Sequence, residues 1–394
     1  MSGYDADGDG ETDWFWVRPT EAYLVNPQIG EYTPIIEHQY IRTVDVEKKE
    51  EDIIPKLVSG GVALSAGITR SGVTIENSNI TAIGNFAFYS NQNIASINAP
   101  HCDYIGSNAF VSCTNLQHAL FEGCGQVFTS AFTGCVNLKT AWFPNCSSVT
   151  GGSAAFTGTL IETVAYGFSG TLPVAHPFKK AAANIKSFYL PYASSMASTC
   201  LTGHTKLNEF IAPNVTAAST NAFSQCTALS RVILGIPSVL TNANHRLTTT
   251  RACLESMYFP NCTELSNYTT STSGAFYNYS KLQYASFPMC STIGGYAFNN
   301  CVNLTSLVLN GSQFCNLTNS NAFNSTPIGG YSASAGSYGS IYVPASMVSL
   351  YKAEATWANF ADRITSIENM PDGVLDANKW WENFEVEVTE DNGG

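Results

Sequence analysis

One pattern of residues in this sequence occurs twice, 22 residues apart. Its apolar and thiol positions are Ala109-Phe110, Cys113, Leu116, Ala119, Phe121 and Cys124, and they return as Ala131-Phe132, Cys135, Leu138, Ala141, Phe143 and Cys146. A fixed period of this size predicts a stack of similar coils, because each repeat must bury its apolar side chains against its neighbours. This period constrains the fold more than any other feature of the chain.

Each repeat contains a short predicted strand and a return path. From Leu138 to Cys146, apolar residues occupy the first, fourth and sixth places and a cysteine occupies the ninth. The alternation around Trp142 is typical of a strand whose inward side chains fill the coil while Thr140 and Trp142 point outward. The Ala-Phe pair is predicted to lie on a short helical or 3₁₀ turn that places its Phe in the core.

This register resembles that of the BspA-type leucine-rich repeats of bacterial surface proteins and bacteriophage-encoded proteins. The resemblance covers roughly residues 78 to 368. It implies an α/β repeat solenoid, a right-handed coil with one short parallel strand per repeat of about 22 residues and a cap at both ends. The segment from Ile341 to Pro344, followed by Tyr351-Lys352 and Trp357, resembles the strand and helix that close many family members.

The Phe of each Ala-Phe pair marks one coil. The marked coils are at Phe88, Phe110, Phe132, Phe156, Phe223, Phe276, Phe298 and Phe323. The two wide intervals between these markers are predicted to hold unmarked coils. Leu201 takes the Phe place of one, while Thr248 and Arg251 take the Phe and Cys places of another.

Four segments are predicted: residues 1–75 as an acidic and aromatic cap or attachment region, 76–338 as the solenoid, 339–368 as a strand-helix cap, and 369–394 as an acidic tail. Charge differs between them. Residues 1–56 hold 13 acidic and 5 basic residues, residues 57–368 hold 10 and 12, and residues 369–394 hold 7 and 1. The nearly neutral solenoid has no basic stripe, so nucleic acid is not an expected partner.

The twelve cysteines fall mostly in two repeat positions, the ninth place of the strand segment and the third place after Phe. Stacked coils are about 4.8 Å apart. Equivalent Cβ atoms are therefore farther apart than the ~3.8 Å of a disulfide, and buried small hydrophobic side chains are the favoured interpretation over bridges or metal ligands.

Four aspartates near the start have the spacing of a calcium loop. Asp5, Asp7, Asp9 and Asp13 match the first, third, fifth and ninth places, but the twelfth place, normally a bidentate Glu, is Trp16. The alternative is an acidic leader without metal. No other cofactor is expected.

The start of the sequence lacks the basic and apolar runs of a secretory signal, and no segment has the ~18 apolar residues of a membrane span. Membrane insertion is therefore not expected. The expected location is a virion surface, or the outside of a cell if another factor delivers the protein.

Catalytic motifs give little support for an enzyme. The sequence contains no Gly-rich phosphate loop, no H-E-x-x-H pair and no G-x-S-x-G elbow. Glu162, Glu209, Glu255 and Glu264 could act as a carboxylate pair only if coiling brings two of them together. A glycan-cleaving enzyme is the weakest of the hypotheses.

The predicted binding surface is the outward, concave side of the strands. Its predicted ligand-binding residues are Leu120, Trp142, Tyr189, Ile211, Ile233, Tyr258, Tyr284 and Tyr342. Aromatic and β-branched residues are also common in strands that bind no ligand. An exposed apolar column of this length nevertheless indicates binding, and tyrosine and tryptophan are typical anchors of interfaces and sugar stacks.

These features predict a non-enzymatic recognition or adhesion protein that binds a protein or glycan on a cell surface, displayed as a bacteriophage virion component and attached through residues 1–75. One alternative is a bacterial cell-surface adhesin. Another is a structural subunit whose concave face is covered by its own homo-oligomer.

Overall fold

The computed structural model describes residues 71–371, apart from 220, 237–238 and 242–246, together with the backbone of seven short strands nearer the start. These strands are β1 Gly3–Tyr4, β2 Trp14–Trp16, β3 Tyr23–Val25, β4 Tyr32–Pro34, β5 Tyr40–Arg42, β6 Val58–Ser59 and β7 Val62–Ala63. The predicted calcium ligands Asp5, Asp7, Asp9 and Asp13 lie outside the described residues. The chain forms two compact units, unit 1 (Met1–Phe168 and Ala175–Ile185) and unit 2 (Ser169–Val174 and Lys186–Gly394). The segment boundaries at 75, 338 and 368 remain a prediction.

In unit 1 the long strands form a parallel sheet with one strand per repeat. These strands are β8 Val73–Glu76, β10 Ile94–Asn98, β12 His118–Leu120, β14 Thr140–Phe143 and β16 Thr163–Tyr166. A second sheet of two-residue strands contains β9 Ala82–Ile83, β11 Tyr104–Ile105, β13 Gln126–Val127 and β15 Ser148–Val149. Ala119 lies beside Ala141, so the 22-residue period of the sequence is the strand register.

Unit 2 repeats this arrangement. Its long strands are β18 Ser187–Tyr189, β20 Glu209–Ala212, β22 Arg231–Leu234, β24 Ser256–Tyr258, β26 Tyr284–Ser286, β28 Ser306–Val308, β30 Ser340–Val343 and β31 Ile364–Ser366, each parallel to the next. Its short strands are β17 Gly170–Leu172, β19 Ala193–Met196, β21 Ala217–Ala218, β23 Val239–Leu240, β25 Glu264–Leu265, β27 Thr292–Ile293 and β29 Asn316–Leu317. Parallel strands in stacked coils confirm the predicted repeat solenoid class.

The return path of each coil is a tight turn around its Phe place. Gly152–Phe156, Lys179–Ala181, Thr248–Thr250 and Ser320–Phe323 are 3₁₀ helices, as predicted, while the other described coils use hydrogen-bonded turns. In several coils the residue before the Ala-Phe pair adopts a left-handed conformation, as Asn108 and Ser130 do with φ of 57° and 58°. The turns also bond to one another, since the Phe110 N–H donates to the Ala131 carbonyl at 2.8 Å.

The marker phenylalanines form the core, as predicted. Every one of the eight is buried. In unit 1, Phe88 stacks on Phe110 and Phe110 on Phe132, with ring centroids 5.0 Å apart in both pairs. In unit 2, Phe276 stacks on Phe298 at 5.7 Å. Stacked rings one coil apart bury large apolar area in each repeat, which is the main stabilising term of the stack.

The cysteines are free thiols, and all but Cys253 are buried. Those after the Phe turn connect successive coils, because Cys135 Sγ–H donates to the Phe110 carbonyl at 2.9 Å and Cys301 Sγ–H to the Phe276 carbonyl at 3.0 Å. Those at the ninth place bond locally, as Cys124 does to the Gln126 carbonyl at 3.3 Å. The thiols therefore pack as small apolar groups and also form weak hydrogen bonds.

The predicted register of one unmarked coil was wrong by one residue. Leu247, not Thr248, takes the Phe place, and it is buried. Thr250, not Arg251, takes the Cys place, where its hydroxyl donates to the Leu247 carbonyl at 2.8 Å. Arg251 instead lies with its guanidinium carbon 5.9 Å from the ring centroid of Tyr279. An additional residue between Thr250 and the next strand explains the shift.

The last coil is covered by a strand, a short helix and a 3₁₀ segment. After β30, helix α1 spans Val348–Ala353, a 3₁₀ segment spans Trp357–Arg363 and β31 follows. Tyr351 and Trp357 are fully buried and both bond to Cys315: its N–H donates to the Tyr351 hydroxyl, and its carbonyl accepts from Trp357 Nε1, each at 2.8 Å. Leu350, in contrast, is 52% exposed, because it lies on the outer side of this short helix.

Candidate functional site

The predicted ligand-binding residues lie on the long strands, in register with one another. In unit 1, Leu120 pairs with Trp142, and in unit 2 the row Tyr189, Ile211, Ile233 and Tyr258 occupies four successive strands. We call the side of each long sheet that carries these residues its outer face. Within each unit, the predicted alignment of these side chains is therefore present, whereas their role in binding remains a prediction.

The expectation that the whole column is exposed was wrong. Trp142, Tyr189 and Tyr258 are partly exposed, but the other five predicted residues are buried: Leu120, Ile211, Ile233, Tyr284 and Tyr342. Side chains on adjacent parallel strands stand about 4.8 Å apart, so each one shields the flanks of its neighbours.

At one end of the outer face of unit 2 a covering segment explains the burial directly. Met370 and Ile367 pack against Tyr284, Val308 and Tyr342 in one apolar cluster. These two residues follow β31, and the chain there returns over β26, β28 and β30. The buried rings at this end are therefore part of a packed interior and not an open surface.

A polar row runs beside the apolar row on the outer face of unit 2. Ser187 Oγ donates to Glu209 Oε2 at 2.9 Å, and Arg231 Nη1 forms an ion pair with Glu209 Oε1 at 3.1 Å. The Glu209 side chain is 18% exposed and that of Arg231 is 36% exposed. Glu209 and Arg231 are 22 positions apart, which is one repeat, so the sequence places them side by side on adjacent strands. Their opposite charges at this spacing were the sequence signal for the ion pair.

The hydroxyls of Tyr284 and Tyr189 on this face are kept in their neutral form by burial. Burial raises the pKa of Tyr284 to about 12, opposed by a hydrogen bond to Ser286 and reinforced by Tyr258. Burial also raises the pKa of Tyr189, with a smaller effect of Tyr192. Neutral phenols can donate a hydrogen bond and present an apolar ring, a combination suited to ligand contacts.

The outer face of unit 1 has its own polar contact beside Trp142. His118 Nδ1 lies 3.1 Å from Thr140 Oγ1 across adjacent strands. Burial, and to a smaller extent the charge of Lys139, lower the pKa of His118. The imidazole is therefore neutral at pH 7, and this face offers a hydrogen-bonding ring beside an indole.

Glu209, one of the four glutamates considered for a carboxylate pair, forms an ion pair with Arg231 instead. Among the described residues, no three His, Cys, Asp or Glu side chains are arranged to hold a metal ion. Burial raises the pKa of the Cys102, Cys113 and Cys301 thiols to about 12, which favours their protonated form at neutral pH.

A loop that sequence reasoning passed over carries two exposed tyrosines in unit 2. Tyr331 and Tyr338 make an edge-on contact with ring centroids 5.5 Å apart, and the Arg363 guanidinium carbon lies 3.7 Å from the centroid of Tyr338. The only sequence signal was a Gly/Ser/Tyr-rich insertion between β29 and β30.

None of the helices in the described residues is long and apolar enough to span a membrane.

A family model described as BspA type leucine rich repeat region matches residues 69–171, 175–304 and 251–334, in six copies. No curated protein matches the chain.

Three solved structures illustrate the structural comparison. A leucine rich cell surface protein from Faecalibacterium prausnitzii A2-165 is 17% identical, with a TM-score of 0.27 and coverage of 76% of this chain and 94% of its own. A leucine-rich repeat protein from Bacteroides ovatus ATCC 8483 is 16% identical, with a TM-score of 0.26 and coverage of 75% and 92%. The protein chain of the TLR13–ssRNA13 complex is 15% identical, with a TM-score of 0.44. The match covers 63% of this chain and only 41% of that protein chain.

Proposed function

The chain belongs to the BspA-type leucine-rich repeat family, and from this premise we propose that it is a non-enzymatic recognition protein that binds a protein or glycan through the outer face of unit 2. The observation that carries the proposal is the pairing of an aromatic and apolar row with the Glu209–Arg231 ion pair on adjacent columns of one sheet. Flat apolar side chains beside fixed polar groups are the usual composition of a recognition site.

The proposed site has a defined extent. Tyr189 lies on β18 and Tyr258 on β24, three strand steps apart, which corresponds to about 14 Å at about 4.8 Å per strand. Ile211 and Ile233 lie between the two rings and provide an apolar floor. A ligand that reaches both rings would stack on tyrosine at either end and meet a carboxylate and a guanidinium along one side.

Trp142 on the outer face of unit 1 is a second proposed contact. Its indole is partly exposed and lies beside Leu120, with His118 and Thr140 on the neighbouring column. Tryptophan is among the side chains that most often dominate binding energy. The proposal treats this face as a separate contact region whose contribution is measured independently of unit 2.

We further propose display at a surface, either of a bacteriophage virion or of a bacterial cell, with residues 1–75 as the attachment region. Mass spectrometry of purified particles and of surface-shaved cells separates the two locations. Detection of the chain in neither fraction would contradict surface display.

The binding proposal is tested with the full chain against an array of glycans and of cell-surface proteins. Tyr258→Ala and Arg231→Ala should each weaken the observed binding at least about tenfold, equivalent to about 1.4 kcal/mol. Met289→Ala is the matched control, because Met289 is an exposed apolar residue of unit 2 that follows β26 and is not part of the outer face row. Unchanged binding in both face variants would contradict the site.

An oligomer that buries the outer face is the competing interpretation. Light scattering of the full chain at several concentrations distinguishes the two. A stable multimer that Tyr258→Ala dissociates would assign this face to self-association and not to an outside ligand.

A further inference from the structure

Three thiols of unit 2 form a row in its core. Cys262, Cys290 and Cys315 are buried and lie in successive coils, next to the paired short strands β25, β27 and β29. Cys262 and Cys290 share a side-chain hydrogen bond, and the Cys315 Sγ lies 3.8 Å from the Cys290 Sγ. Cys290 therefore has a second sulfur on either side of it.

The position of Cys315 departs from the pattern of the other cysteines in this row. Cys290 stands two residues before β27, and its Sγ–H donates to the Thr292 carbonyl at 3.2 Å. Cys315 stands directly before β29, and its Sγ is 4.0 Å from the Asn316 carbonyl oxygen. The Cys315 thiol is thus directed to the neighbouring sulfur more than to a local backbone acceptor.

The distance between these two sulfurs suits a metal bridge better than a disulfide. A disulfide holds its sulfurs about 2.0 Å apart, so the two atoms, now 3.8 Å apart, would have to approach by about 1.8 Å. Two metal–sulfur bonds of about 2.3 Å that point in opposite directions separate their sulfurs by about 4.6 Å. A bridging ion therefore fits after a much smaller adjustment, and thiolate ligands select soft ions such as copper(I).

We propose that Cys290 and Cys315 form a two-ligand site for a soft monovalent metal ion of the copper(I) class, in the core of the last coils of unit 2. Copper(I) has a filled d shell and imposes no fixed geometry, so two thiolates suffice to hold it. The site does not need the three ligands that no group of His, Cys, Asp or Glu in the described residues provides. Metal binding adds to the packing role that the repeat pattern predicts for these thiols.

Binding exchanges two protons for one ion and leaves the oxidation state of the ion unchanged. The Cys290 and Cys315 thiols each release a proton to solvent and each form one sulfur–metal bond. One positive ion and two thiolates leave a single negative charge in the core. Cys262, which shares a hydrogen bond with Cys290, can direct its S–H to that charged sulfur. The row thus supplies two ligands and one hydrogen-bond donor.

The site is joined to the segment that covers the last coil through the backbone of Cys315. The Cys315 N–H donates to the Tyr351 hydroxyl, and its carbonyl accepts from Trp357 Nε1, each at 2.8 Å. A metal bridge to Cys290 ties this residue to the preceding coil as well. Because the ion binds the folded arrangement, it stabilises the fold by mass action and opposes local opening of the cap.

The site is tested with the full chain under anaerobic, reducing conditions, with copper(I) supplied as its complex with the chelator bathocuproine disulfonate. The chelator competes with single thiols, and native mass spectrometry counts the ions that each chain retains. Wild type is compared with Cys290→Ala, Cys315→Ala, Cys262→Ala and Cys301→Ala. Cys301→Ala is the matched control, because Cys301 is a fully buried thiol of unit 2 that donates to the Phe276 carbonyl at 3.0 Å.

We expect Cys290→Ala and Cys315→Ala each to retain one ion fewer than wild type, and Cys301→Ala to retain as many as wild type. Cys262→Ala should keep the ion but release it at a lower chelator concentration, because this change removes a hydrogen-bond donor and no ligand. Loading should raise the melting temperature of wild type and Cys301→Ala by more than that of Cys315→Ala.

X-ray absorption of wild type loaded with one equivalent of copper(I) gives a measurement that does not depend on the folding of any variant. We expect sulfur neighbours alone. Nitrogen or oxygen neighbours, a wild type that retains no ion, or equal numbers of ions in wild type and Cys290→Ala would overturn the proposal. Loss of the ion in Cys262→Ala with retention in Cys315→Ala would overturn the assignment of its ligands. None of these outcomes depends on whether the outer face binds an external ligand.

Discussion

Phe110 and Phe132 lie 22 residues apart in the chain and stack nearly parallel, with ring centroids 5.0 Å apart and planes inclined by 6°. Each ring also contacts a strand phenylalanine, Phe121 or Phe143. One sequence period thus becomes one step of a continuous aromatic stack in unit 1.

Phe132→Ala should lower the free energy of unfolding of unit 1 by about 3–5 kcal/mol, because the ring is fully buried between two others and its loss leaves a cavity. Val136→Ala is the control, since Val136 is exposed in the same coil and its truncation should change the free energy by less than about 0.5 kcal/mol. Urea denaturation followed by circular dichroism gives both values. Equal effects of the two variants would contradict the predicted packing.

Stability should depend on pH through the buried thiols. Burial raises the pKa of Cys102, Cys113 and Cys301 from 9.0 to about 12. The folded state therefore favours the protonated thiol, and this contribution is fully present below about pH 9 and is lost as pH rises towards 12. The urea midpoint should fall steadily from pH 9 to pH 11, and a Cys113→Ala/Cys301→Ala variant should show a smaller slope. A flat profile would show that these thiols are accessible to water.

Gly311→Ala should destabilise unit 2 by about 1–3 kcal/mol, because a Cβ at this position would collide with the Pro288 carbonyl oxygen of the preceding coil. Gly330→Ala is the matched control, since its Cβ would meet open space. Thermal melting measures both variants. If Gly311→Ala melts at the wild-type temperature, the close approach between these coils is incorrect.

Trp357→Phe should cost about 1–3 kcal/mol, since it leaves the buried Cys315 carbonyl without the indole N–H that now donates to it at 2.8 Å. Leu350→Ala, on the exposed side of α1, should be close to neutral. Hydrogen exchange at the Cys315 amide gives a local measurement, because this N–H donates a hydrogen bond to the Tyr351 hydroxyl of the cap. Unchanged exchange in Trp357→Phe would argue against a cap that acts as one unit.

The sequence predicted what repeats locally and missed what depends on distant contacts. The Phe and Cys positions followed from the 22-residue period, because the same side chain meets the same neighbour in each coil. The coil at Leu247 was assigned one residue late, since an insertion changes the spacing without changing composition. The burial of Tyr284 and Tyr342 was not foreseeable from the strands, because Met370 covers them from another part of the chain.

The central claim is that the outer face of unit 2 recognises a ligand through Tyr258 and the Glu209–Arg231 pair. The most direct measurement is calorimetric titration of the full chain with the ligand found on the array, for wild type, Tyr258→Ala, Arg231→Ala and Met289→Ala. The account predicts an affinity loss of at least about tenfold for the first two variants and none for the third, at unchanged melting temperature. Equal affinity for all four proteins would contradict it.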